Sequence, residues 1–203
     1  RLSTLVDFEA LKLAAGLLLL SPAIPLLFMG EEWAEDNPFL YFISHSDSGL
    51  IEAVKKGRKK DYQHLCPGAE AVDPQEESTF EKSRIDWKKN RQAKNKNMFE
   101  YYRKLIGLRQ SLEIHQVKDS EIILQDLEQN ILGIKYVCPG KEILQIASFN
   151  SCEKTIRLSQ SFKLLADSAT PSFAAPEKGT ESNDPFFRDI LLSPWNYLVW
   201  KTP

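Results

Sequence analysis

The chain is short of the residues that hold metals, build disulfide frameworks or gather polyanions. Its 203 residues include three cysteines and three histidines. Cys66, Cys138 and Cys152 show no CxxC or other ligand spacing. They read as reduced, buried thiols of an intracellular, cytoplasmic protein, not as a disulfide framework or a metal site. His45, His64 and His115 are equally scattered, which argues against zinc, and no cofactor is expected. A formal net charge of -2 supplies no field that would attract nucleic acid or an acidic membrane, so neither is expected as a partner. There is no internal repeat, no signal-peptide pattern and no initiator methionine. A helical pattern starts almost at Arg1, and the chain reads as a piece of a longer protein.

What is present suits a folded core. Apolar residues make up 42% and charged residues 27%, ordinary values for a soluble globular protein. The apolar stretch Leu13 to Met29 has the length of a membrane span, but Lys12 at its edge and Pro22 and Pro25 inside it favour a buried helix, a turn and a buried strand. Leu5, Phe8, Leu11, Ala15, Leu18 and Leu19 recur at helical spacing, with Ser3 or Thr4 as cap and Ser21-Pro22 as terminator. Gly16 inside this helix suggests a close packing contact. Ile24 to Met29 is continuously apolar, as expected for a strand covered on both faces in a parallel sheet.

Downstream, Glu31 to Asp47 reads as a loop. Leu50 to Val54 reads as a helical turn, followed by the basic run Lys55 to Lys60, whose lysines suit a solvated face. Cys66 to Thr79 reads as a surface loop. Thr79 to Trp87 is a short ordered piece anchored by Phe80, Ile85 and Trp87. A long helix is expected from about Gln92 to Leu112, with Met98, Tyr101, Tyr102, Leu105, Leu108 and Leu112 as its buried stripe. After it the period changes. Ile122–Leu124, Ile131–Val137, Ile143–Phe149, Thr155–Leu158, Leu164–Ala166, Asp189–Leu192 and Tyr197–Trp200 read as strands, with turns at Pro139-Gly140 and Asn150-Ser151 and a loop over Ala169–Pro185. The boundary lies near residue 116, giving residues 1–115 and an all-β domain over 116–203.

The stretch from Ser21 to Trp33 carries the functional signal. An apolar run breaks at Gly30 and presents Glu31, Glu32 and Trp33 together. Carboxylates accept hydroxyl hydrogen bonds, and an indole can cover a pyranose face, so this is a candidate rim of a sugar-binding cleft. Either glutamate could instead close a local turn, and Trp33 could simply be packed. Phe39 and Tyr41 read as core. Arg58 lies in the basic run, where a guanidinium could hold a carboxylate or stand on the solvated face.

Several motifs together resemble malto-oligosyltrehalose trehalohydrolases of the α-amylase clan, glycoside hydrolase family 13. They are Arg1-Leu-Ser, Phe8-Glu-Ala-Leu-Lys-Leu-Ala-Ala15, Leu20 to Glu32, Pro38-Phe-Leu-Tyr-Phe42 and Val54-Lys-Lys-Gly-Arg58. Tyr102-Arg103 and Leu108-Arg109 extend the likeness through the long helix. Trp33-Ala34 departs from the aromatic-Gly pair commoner in that family. The resemblance implies a (β/α)₈ barrel whose site lies at the C-terminal ends of its strands. Ile24–Met29 would be strand eight and Gln92–Leu112 the last barrel helix, so the fold expected is a final β/α barrel segment followed by an antiparallel β-sandwich.

The implied activity is hydrolysis of the α-1,4 bond next to the trehalose end of maltooligosyl trehalose, and the implied partners are that substrate and the N-terminal part of the barrel. Such chemistry needs a carboxylate nucleophile and a carboxylic acid flanking the bond. In the family these and a third aspartate come after strands four, five and seven, the last within an Asn-His-Asp-Gln stretch. No Asn-His-Asp occurs here, so the chain is expected to hold no catalytic residue and to be inactive alone. Glu31, Glu32, Trp33 and Arg58 are the expected substrate-binding residues. A branching enzyme of the same clan and a non-catalytic carbohydrate-binding or packing module are the rival readings. A strand without neighbours is expected to drive self-association or to be covered by the chain's own helices.

Overall fold

The computed structural model describes residues 1–65, 72–117, 119–126, 129–138, 140–159, 162–170 and 187–202. Cys66, Pro139 and most of the Ala169–Pro185 loop lie outside the described residues. Helix α1 spans Phe8–Leu19, α2 Ser48–Leu65, α3 Glu77–Ser83 and α4 Ala93–Ser111. Seven strands follow: β1 Asp119–Asp126, β2 Ile131–Cys138, β3 Lys141–Ser148, β4 Lys154–Ser159, β5 Lys163–Asp167, β6 Phe187–Leu192 and β7 Tyr197–Lys201. All pairings are antiparallel. Five strands form one sheet in the order β1-β2-β3-β7-β5, and β4 pairs with β6 in a second sheet.

The strand period of two explains the layering. On β7, Tyr197 and Val199 join a core shared with α1 and α4, while Leu198 and Trp200 join a second core shared with β4 and β6. β3 repeats the division, with Ile143 and Ala147 toward the helices and Leu144 and Ile146 toward the small sheet. Side chains of a strand point alternately to its two faces, so the five-stranded sheet is the middle of three layers. On α4, Met98, Tyr101, Tyr102 and Leu105 are buried, the stripe that the helical period requires.

Several expectations are corrected. α1 has Asp7 as N-cap with no side-chain cap bond, and Ser3 Oγ donates to the Glu35 carbonyl instead. α2 continues through the whole basic run to Leu65, because lysine and arginine are good helix formers and Lys55 is held by Asp73 at 2.7 Å. Cys138 is buried, but Cys152 is exposed. Phe39, Tyr41, Phe80 and Trp87 are surface residues, with Trp87 at 65% exposure. The largest correction concerns Ile24–Met29, which is neither a strand nor buried: Ile24 is 94% and Leu26 89% exposed. A parallel strand needs neighbours to satisfy its backbone. Among the described residues no strand lies beside it, and no helix covers Ile24 or Leu26. No helix among the described residues is long and apolar enough to cross a membrane.

Candidate functional site

Gly30 turns the chain out of the apolar segment. Its φ of +85° is in the left-handed region, and a Cβ there would lie 2.8 Å from the Glu35 Cβ, so glycine is needed on both counts. A 3₁₀ turn over Glu31–Trp33 follows and ends at Ala34, also left-handed at φ 57°. The Glu35 amide closes the loop on the Gly30 carbonyl at 2.9 Å.

The two glutamates of this turn differ. Glu31 has both oxygens engaged: Oε1 accepts the Tyr102 hydroxyl at 3.0 Å and Oε2 accepts the Phe28 amide at 2.9 Å. Burial, with the Glu31 charge and hydrogen bond behind it, pushes the Tyr102 hydroxyl pKa well up, so the phenol stays a donor. Glu32 is half-buried and makes no hydrogen bond or ion pair with a described residue. It is the free carboxylate of the turn. Trp33 is 2% exposed and packs against Trp87 with ring centroids 5.2 Å apart. At that burial its ring offers no open face to a sugar, and its Nε1 has no hydrogen-bond partner among the described residues. Asn95 of α4 donates to the Trp33 carbonyl at 2.7 Å and fixes the turn from behind.

Arg58 is not brought to this turn. It lies over the Tyr41 ring at 4.6 Å and lines a small cavity with Tyr62 and Pro74. A cavity of about 320 Å³ adjoins Glu31, bounded by Leu11, Ala15 and Leu18 of α1, by Phe28 and by Tyr102. Met29 borders a second, open apolar cleft with Phe39, Phe42, Phe80 and Trp87, and the Phe28 ring packs edge-on against Phe39 at 5.1 Å.

Glu35 is the residue that the sequence did not single out. It is 1% exposed. Its Oε1 accepts the Asp36 and Asn37 amides and the Lys89 ammonium at 3.0, 2.9 and 3.1 Å, and its Oε2 accepts the Asp86 amide at 2.8 Å. Burial alone would raise its pKa. The Asn37 and Asp86 amides and Lys89 outweigh burial and lower it from 4.5 to about 2. Glu35 locks the Gly30–Asn37 loop onto the 84–91 segment. Its one available signal was the run of carboxylates at 31, 32, 35 and 36, which does not say which of them is buried.

No family model matches the chain. Its sequence is similar to malto-oligosyltrehalose trehalohydrolases: 42% identical over 109 residues to that of Saccharolobus solfataricus, covering 54% of this chain and 18% of the relative. The trehalohydrolase of Deinococcus radiodurans is 33% identical over 131 residues, covering 64% of this chain and 21% of the relative. The chain spans about a fifth of the length of these curated relatives. Among solved structures, a Salmonella typhimurium protein assigned as an α-amylase superposes over 100% of this chain and 32% of its own, with TM-score 0.80 and 26% identity. The α-amylase of H. orenii matches 97% of this chain and 36% of its own, at TM-score 0.61 and 15% identity. The likeness to α-amylase-family enzymes thus runs through helices and sheets alike, whereas the trehalohydrolase sequence likeness covers about half the chain.

Proposed function

We propose that this chain is the part of a trehalohydrolase-type glycoside hydrolase that follows the catalytic carboxylates, with residues 1–115 as the last segment of the (β/α)₈ barrel and residues 116–203 as a β-sandwich domain. The observation that carries the reading is the Ile24–Met29 segment. It is apolar and exposed, has no regular secondary structure, adjoins two hollows through Phe28 and Met29, and has no backbone partner for Ile24, Leu26 or Leu27 among the described residues. Exposed apolar surface of this extent marks an interface, and an unpaired backbone marks it as one made by strand pairing. Under the (β/α)₈ reading its two neighbours are the seventh and the first strand of the same barrel.

In this reading the chain contributes one wall of the cleft. Glycoside hydrolysis by the retaining route uses one carboxylate as nucleophile and a protonated carboxyl as acid, and both belong to the rest of the protein. Glu32, with no internal partner, accepts a substrate hydroxyl. Glu31 keeps the turn closed through Tyr102 and Phe28 and does not reach the sugar. Trp33 anchors the turn through Trp87, and Arg58 stands outside the wall. The substrate is the α-1,4 bond next to the trehalose end of maltooligosyl trehalose.

The test is trehalose release from maltotriosyl trehalose. The 203-residue chain alone should release none, and the whole protein should release it. Glu32→Gln in the whole protein should raise KM about tenfold, the loss of one hydrogen bond to a charged group. Activity of the isolated chain above a blank would show that catalytic residues lie within it. Glucan branching without trehalose release by the whole protein would assign it to another enzyme of the clan.

A further inference from the structure

The turn after α1 is held by side chains from two different parts of the molecule. Arg109 of α4 donates from Nη1 to the carbonyls of Leu19 and Ser21 at 2.7 and 2.5 Å, and from Nη2 to that of Ala23 at 3.0 Å. Gln145 of β3 is 1% exposed. Its Nε2 donates to the Leu20 carbonyl at 2.8 Å, and its Oε1 accepts the Tyr197 hydroxyl at 2.7 Å. The last carbonyls of a helix have no intrahelical partner. Here two side chains satisfy them where other helices use a glycine cap.

This location matters because Ile24–Met29 follows at once. The segment's other end is fixed: Arg1 Nη1 donates to the Met29 carbonyl at 2.6 Å and Glu31 accepts the Phe28 amide. Between these ends no ladder holds the backbone. A chain without a ladder keeps one course only if its ends are positioned, since each unrestrained residue has many accessible conformations. We infer that Arg109 of α4 and Gln145 and Tyr197 of the β half are positioning residues, which together set where the segment leaves α1 and so the course it takes to the Glu31–Trp33 turn. Gly16 strengthens the coupling: a Cβ on it would lie 2.4 Å from the Tyr197 ring, so helix and strand meet without a spacer. The functional meaning rests on the reading of this turn as a cleft wall; the positioning itself does not.

The experiment measures position directly. Spin labels are placed at Leu26→Cys, a fully exposed point on the segment, and at the exposed native Cys152. Cys66→Ser removes one other thiol. Cys138 is buried, and Cys138→Ala removes it as a competing site. Pulsed dipolar spectroscopy then gives the distance distribution between the two labels. With the clamp intact it should be a single narrow peak. Gln145→Leu, which removes the donor to Leu20, and Arg109→Lys, whose single ammonium cannot span three carbonyls, should each broaden it about twofold. Tyr197→Phe should broaden it less, because Gln145 still reaches Leu20. Ile156→Val, in the second core, serves as a matched destabilising control and should leave the width unchanged. If Gln145→Leu does not fold, Arg109→Lys and Tyr197→Phe carry the test. Unchanged widths in the clamp variants, or equal broadening by the control, would overturn the inference. Neither result depends on trehalose release, so a failure of the functional reading is seen separately.

Discussion

Replacing Glu35 by glutamine is the most demanding test of the site geometry. The carboxylate accepts four donors, three of them backbone amides. An amide side chain keeps one acceptor oxygen and turns a second donor toward donors already in place. At least one buried N–H then loses its acceptor, and Lys89 loses a buried counter-charge. The carboxyl titrates at about 2 instead of 4.5. At ~1.4 kcal/mol per pH unit of separation, the charged form contributes about 3 kcal/mol to folding. The sign follows from the direction. With the folded pKa depressed, this stability is fully present above about pH 4.5 and is lost as pH falls toward 2. Glu35→Gln should therefore cost about 3 kcal/mol at pH 7, or roughly 6–12 °C in Tm for a chain of this size. Urea unfolding of both proteins from pH 7 down to pH 2.5 measures it. The difference should shrink steadily below pH 4.5. A loss under about 1 kcal/mol at pH 7, or a difference that does not change with pH, would refute the reasoning.

Three further outcomes are expected. Gly16→Ala places a methyl against the Tyr197 ring and should lower stability by about 1–3 kcal/mol, read by thermal melting; a gain of stability would mean that the helix and β7 do not touch as described. Tyr102→Phe frees one oxygen of Glu31 and should cost about 1–2 kcal/mol in urea unfolding, with a neutral result assigning that bond no net role. Ile24→Lys with Leu26→Lys should change the stability of the monomer by no more than ~0.5 kcal/mol per site, because both side chains are already in water. The same pair should weaken self-association in sedimentation equilibrium, and wild-type protein with no tendency to associate would remove that expectation.

Local pattern made α1, α4 and the strands readable, but it caught only one turn of α2 and not α3, and tertiary partners were not readable. The α4 stripe follows from its period, and each of the seven strand segments appears as a strand because short apolar runs between turn residues have few other solutions. Ile24–Met29 shows the limit. A continuous apolar run says that the segment belongs against other apolar surface, but not that this chain supplies that surface. Glu35 shows another limit. Its role depends on the Asp86 amide 51 residues further on, and no spacing rule connects the two. Glu31 and Glu32 looked alike as neighbours. The Tyr102 hydroxyl, brought in by α4, and the Phe28 amide separate a turn-closing carboxylate from a free one. Trp33, open between packing and sugar contact in the sequence, is 2% exposed, whereas Trp87, expected as an anchor, is 65% exposed.

The position of β7 has a consequence for how the molecule comes into being. It lies between β3 and β5, yet it is synthesised after both, and its four residues from Tyr197 to Trp200 feed the two cores alternately. On the ribosome, β3 therefore waits with one edge open, and α1 and α4 wait without Tyr197 behind Gly16. Neither core can close until this strand has emerged, so the helical and β parts mature together once β7 is out and not in the order in which they are made.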